Sequence, residues 1–378
     1  MRGKHKKIEA LLLGIIFAVS IYLIWQFFQS ENSYKRYANE TVSYVQAKVL
    51  NVIDQELVLT GENEEYMTGF QQVELQLKDG ETVELEHYVT LTHNVIVRRG
   101  MSVIVCLDSP EGIDPYYTIY NYDRKGTEVA ILTAFFVLLL IIGKIKGVRS
   151  ALGLMLTLSL IVCYMIPKLY EGGSAVYAIL LTIIMSSAGS CFCIGGFGKK
   201  TLCSMTSTIF GGIIAGGLYF LLMKMMKMSV GALETSEELQ MISQATGMSL
   251  QGVMFAGIMI AVLGAVMDVA VSLGSALWEI VELKRGIDKK QLFAAGMNIG
   301  KDRIGTMTNT LILAFLGGAL PALLIFLSYG VSYHQFLSSD FLALELVQAI
   351  AGSTAVILTV PVSSLVCAYV YCRKERLE

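Results

Sequence analysis

Residues 252–277 read GVMFAGIMIAVLGAVMDVAVSLGSAL, and the only charge among them is that of Asp268. As a helix the stretch would be about 39 Å long, more than the ~30 Å hydrocarbon core of a bilayer. Soluble proteins do not keep so long an apolar run so nearly free of charge. The stretch predicts a membrane span.

The rest of the chain agrees. Of its 378 residues, 54% are apolar and 16% charged, against roughly 25% charged in a soluble domain. Too little charge remains to cover a water-facing surface. Further apolar runs occur at 8–28, 127–142, 151–167, 174–195, 202–223, 306–328 and 342–370, which makes eight expected spans. The first follows a basic start, Met-Arg-Gly-Lys-His-Lys-Lys, but is long enough to cross and is followed by no small-residue cleavage site. It reads as an uncleaved anchor over 1–28.

Basic residues set the expected orientation. Lys144, Lys146 and Arg149 follow the second run, and Lys199 and Lys200 the fourth. Six more lie between Lys284 and Arg303, and Arg373, Lys374 and Arg376 end the chain. The alternate loops are poor in them, apart from Lys224 and Lys227. Both termini are therefore expected in the cytoplasm of a bacterial-type cell, with residues 29–126 outside.

That external segment alternates polar and apolar residues at 42–52, 73–77, 83–88, 103–107 and 117–120, with Asp79-Gly80 expected as a two-residue hairpin turn. It predicts a small all-β domain of the OB or SH3-like kind. With 16 acidic and 8 basic residues, its surface is acidic. His87 and His93 are expected on that surface. Residues 127–378 then form a seven-helix membrane domain, and 279–304 should include a short interfacial helix.

The sequence also matches itself. GKKTLCSMTST at 198–208 resembles GKDRIGTMTNT at 300–310. Each copy is expected at a cytoplasmic turn leading into an outgoing helix with paired glycines, as in parallel hairpin repeats. Lys199, Lys301, Asp302 and Arg303 are the candidate residues of those turns.

Polar groups inside the spans are candidates for a transport path, because hydrocarbon penalises them. Asp268, Ser272, Ser275 and Glu279 share one helix face. Thr306, Asn309 and Thr310 form a second stripe, and Glu345 and Gln348 a third. Interhelical hydrogen bonding explains the hydroxyl and amide groups, but explains Asp268 less well.

Walker A, H-E-x-x-H and G-x-S-x-G sequences are absent, and the four histidines have no ligand spacing. The seven cysteines make no disulfide framework. No enzyme activity, metal, cofactor or nucleic-acid partner is expected.

Three stretches resemble the YibE/F family of bacterial membrane proteins. They are MDVAVSL at 267–273 with Glu279 beyond it, GMNIGKDRIGTMTNTLILAF at 296–315, and Leu344-Glu-Leu followed by ILTVP at 357–361. The resemblance implies a YibE-like chain with an anchor and an external domain. It also implies a Firmicute-type source, with a YibF-like paralogous chain or a second copy as partner. Arg303 directly after Asp302 departs from the family pattern and offers that acid a local ion pair. The leading functional expectation is a permease or transport component, with Asp268 coupling a proton or cation. The alternative is a membrane scaffold or sensor whose external domain binds a peptide, glycan or partner protein.

Overall fold

The structure is a computed structural model describing residues 2–29, 41–60, 66–110, 112–228, 236–284 and 286–372. The basic residues of the C-terminal tail, Arg373, Lys374 and Arg376, lie outside the described residues, as do 30–40 of the external segment. The chain divides into two compact units, Ser30–Leu138 and Met1–Gln29 with Leu139–Glu378. It is a polytopic helical membrane protein with a β domain.

The β unit is one antiparallel sheet of β1 (Val42–Thr60), β2 (Tyr66–Leu77), β3 (Thr82–Val89), β4 (Ser102–Asp108) and β5 (Tyr116–Tyr122), in the order β3-β2-β1-β4-β5. The central β1 pairs with β4 through its first half and with β2 through its second. Register shifts at Val49/Asn51 and Val52/Asp54 let it bend between the two. Alternate residues Val49, Val73, Leu75, Val103, Val105 and Ile119 point inward and are almost wholly buried.

Side chains, not a ladder, hold the segment 95–97. Buried Gln71 accepts from the Val97 amide at 2.9 Å and donates to its carbonyl at 3.0 Å. The Tyr122 hydroxyl accepts from the Ile96 amide and donates to the Ile96 carbonyl. A ring nitrogen of His87, Nε2, lies 2.7 Å from the Val95 carbonyl. Each buried polar group thus finds a partner.

Two expectations need correction. The β2–β3 link is a three-residue loop, Lys78 to Gly80, because Leu77 N bonds Glu81 O and Gly80 takes φ +95°. His87 is also buried rather than on the surface, with its ring 5.6 Å from that of His93. Burial pushes the His87 pKa below the ordinary 6.5, opposed by the Val95 bond and reinforced by His93. The folded domain therefore binds this proton less readily than the unfolded chain. Stability from neutral His87 is complete above about pH 6.5 and falls as the pH drops from there toward the lower folded value. Protection of the β2 and β3 amides in the whole chain, taken relative to the intrinsic exchange rate at each pH, should fall across that window, and His87→Gln should flatten the response. Protection independent of pH in the unsubstituted chain would contradict this.

The helical unit contains α1 (Arg2–Gln29), the part of α2 (Lys125–Leu160) from Leu139 onward, a π-helical turn (Ile161–Met165) and α3 (Ile166–Tyr170). Then come α4 (Ala175–Gly195), α5 (Lys199–Met225), α6 (Ser236–Thr246), α7 (Leu250–Leu283), α8 (Lys289–Ser328), α9 (Tyr333–Leu337) and α10 (Asp340–Tyr371). Seven helical runs among the described residues are long and apolar enough to span, and one of them holds two of the eight expected spans. The second and third expected spans form one run, Lys125–Tyr170, of 46 residues. Straight, it would measure about 69 Å, more than twice the hydrocarbon thickness. It is not straight: Lys144 sits at φ 49°, ψ −132°. A Cβ on Gly147 would lie 2.3 Å from the Leu139 carbonyl oxygen, whereas eight helical residues cover about 12 Å. The chain folds back there.

At the core, α5, α7 and α10, with α8 against α10, approach closely because small residues line their contacts. A Cβ on Gly211 would meet Val266 at 2.4 Å and Thr359 at 2.5 Å, one on Gly274 the Ser204 hydroxyl at 2.9 Å, and one on Gly300 Val360 at 2.1 Å. Around these contacts Val262, Val266, Leu277, Ala355, Val356 and Val360 are buried.

The expected interfacial helix within 279–304 is not separate. Asp288 caps α8, accepting from the Lys290 amide, and the helix then runs unbroken to Ser328. Lys301, Asp302 and Arg303 consequently lie inside a helix, whereas Lys199 opens one after the turn at Gly196 to Gly198. The two matched segments therefore occupy different local structures. The Asp288 cap starts α8 well before position 300, so the second segment continues a helix already formed.

Candidate functional site

On α7 one face is closed and the other open. Val262, Val266, Val269, Leu273 and Leu277 face the core, while Gly264, Asp268 and Glu279 are exposed, with Ser272 and Ser275 half-buried beside them. The 3.6-residue period keeps Asp268 off the packed face and on the expected stripe. No ion pair within 4 Å reaches Asp268 among the described residues. The charge acting on it is that of Arg303 on α8. The Asp302–Arg303 ion pair that the sequence offers is likewise not formed among the described residues, and both side chains are exposed.

The second stripe lies on the outer side of α8. Its buried positions, Leu292, Gly296, Gly300 and Ala319, pack inward, Gly296 against Ser364 and Gly300 against Val360. Thr306, Asn309 and Thr310 are exposed. The threonine hydroxyls donate to carbonyls of their own helix, Thr306 to Arg303 and Thr310 to Thr306. Asn309 makes no hydrogen bond among the described residues. Glu345 and Gln348 are half-buried in the first turns of α10. The structure brings Asp268 and Arg303 within electrostatic reach of each other and does not gather the three stripes into one pocket.

A further polar seam runs between α5 and α10. Cys203 and Cys367 are both buried, and Tyr371 beside them donates to Gly274 O at 3.0 Å. Two helical turns along, Thr359 packs on Gly211. Between these levels lie Ser207 and Ser363, both fully buried and with hydroxyls that have no partner. Antiparallel helices set position 207 opposite 363, just as they set 203 opposite 367 and 211 opposite 359. Sequence reading missed this seam because serine and cysteine are ordinary in spans. The signal was the four-residue spacing of Cys203, Ser207 and Gly211 against Thr359, Ser363 and Cys367.

Comparison with known proteins adds one finding. The family model for YibE/F-like protein matches residues 131–373. No curated protein and no solved structure matches the chain.

Proposed function

The chain belongs to the YibE/F-like family, and from that premise we propose that it is a transport component of a bacterial cell membrane in which Asp268 carries or coordinates a proton or cation. One observation carries the reading. A carboxylate within an apolar span faces out of the chain, with no ion-pair partner within 4 Å among the described residues and with the Arg303 charge in reach. A carboxylate in the middle of a span costs about 2.5–3.5 kcal/mol on insertion scales. Such a group persists where water, an ion or a partner chain meets it.

The open face of α8 supports a partner. In α5 the repeat residues Ser204, Ser207 and Thr208 are buried against neighbouring helices, while the matching Thr306, Asn309 and Thr310 of α8 are exposed. A second copy, or a YibF-like chain, laid on α8 would take these groups out of lipid.

The proposed orientation puts both termini in the cytoplasm and residues 29–126 outside. A reporter active only in the cytoplasm should work when fused after Lys200 and fail after Lys78 or Tyr329. Activity at Lys78 would overturn the orientation.

The sensor reading draws on a different feature. At the far end of the β1–β2 hairpin Val58, Leu59, Tyr66 and Met67 are exposed together, an apolar edge suited to an external partner. Replacing Val58 and Leu59 by serine would then abolish function, while Asp268→Asn would spare it. The transport reading expects the reverse.

A further inference from the structure

Where α4 hands over to α5, the helical unit holds a cavity of about 140 Å³. Its polar lining is Lys146, just past the Lys144 turn, Lys200 and Thr201 from the first turn of α5, Ser204 one turn on, and Ser275 of α7. No acidic residue lines it. Neither lysine makes an ion pair among the described residues. Glu9, the acid that reaches this turn, is taken up by Arg149 at 3.4 Å and by the Phe197 amide at 3.4 Å.

The donors are unevenly spent. Thr201 and Ser204 give their hydroxyl protons to the carbonyls of Gly196 and Ala270. Ser275 has no hydrogen bond among the described residues, and both ammonium groups keep their protons to offer. The first turn of α5 has no side-chain cap and no acidic residue, so its amides add positive potential to the two lysines. Two lysines, a free hydroxyl and a helix start line one small, partly open space.

We propose that this cavity binds a phosphate-type oxyanion. Two lysine charges with the free Ser275 hydroxyl fit a compact, multiply charged oxygen ligand. Pockets for larger ligands run from about 300 Å³ upward, so a cavity of about 140 Å³ has room for one tetrahedral group. The same chemistry is offered by free phosphate and by the phosphate of an anionic lipid headgroup. The site does not depend on the role given to Asp268.

Thermal unfolding of the purified full chain in detergent tests the proposal. Inorganic phosphate is titrated at constant ionic strength. Phosphatidylglycerol is added separately in mixed micelles, with phosphatidylcholine for comparison. A ligand of the folded state raises the midpoint with concentration. Phosphate should stabilise the chain if the ligand is a soluble anion, and phosphatidylglycerol alone should do so if it is a headgroup. Lys146→Gln combined with Lys200→Gln should weaken the effective probe at least tenfold. Lys224→Gln, in the last turn of α5, should leave it unchanged. If the double variant does not accumulate, Lys146→Gln alone, at an exposed position, should weaken the probe at least threefold. The proposal fails if neither probe stabilises the unsubstituted chain, or if the lysine variants respond as it does.

Discussion

Asp268→Asn is expected to abolish the in-cell function of this protein while leaving its membrane level unchanged. The amide keeps the size of the carboxylate and most of its hydrogen bonding, and an uncharged group is cheaper in hydrocarbon. Because Asp268 sits outside the buried face of α7, the substitution removes no core contact. What disappears is the titratable charge. Loss of at least tenfold in a complementation or flux assay, with normal levels by immunoblot, is the expected result. Thr206→Val, which removes only a hydroxyl bonded to carbonyls of its own helix, should behave as the unsubstituted chain. A fully active Asp268→Asn chain would turn attention to the β domain and its exposed hairpin end.

Gly211→Leu should have the largest effect on folding. At this position α5 touches α7 and α10 at once, and a Cβ alone would lie 2.4 Å from a Val266 methyl and 2.5 Å from the Thr359 hydroxyl. Overpacking typically costs about 1–3 kcal/mol and sometimes more, and here two helices would have to move together. The variant should lose its monodisperse peak in size-exclusion chromatography of the solubilised protein. Gly217→Leu on the same helix, where nothing lies within 4 Å, should keep it. Equal behaviour of the two variants would mean that the α5–α7–α10 junction is not the core of the fold.

The membrane class was legible because it depends on length and charge alone, and 252–277 settles both. Strand positions in the β domain were legible for a similar reason, since period-2 alternation survives wherever one face is buried. Continuity was less legible. The turn at Lys144 showed as the basic break between the runs 127–142 and 151–167, but the unbroken α8 does not show in hydropathy, because a charged stretch can continue a helix as readily as end one. The burial of His87 depends on the segment 95–97 packing back on the sheet, which has no signature in strand alternation. Asp268 stood out in the sequence as the charge in its span. That it faces away from the core, with Arg303 as the charge acting on it, required the packing of α7 and α8. The seam of Ser207 and Ser363 was hidden because its spacing becomes meaningful only once α5 and α10 are known to be antiparallel neighbours.

Water access to Asp268 in the membrane tests the central claim most directly. A cysteine placed there by Asp268→Cys is treated in native membranes with a charged, water-soluble maleimide, and labelling is measured against the unsubstituted chain with its seven native cysteines. If Asp268 lines an aqueous route, the introduced thiol should react with the charged reagent, and an excess of a second water-soluble thiol reagent should block the labelling. Reaction only with a lipid-soluble maleimide, and none with the charged one, would place this position against hydrocarbon and contradict a coupling role.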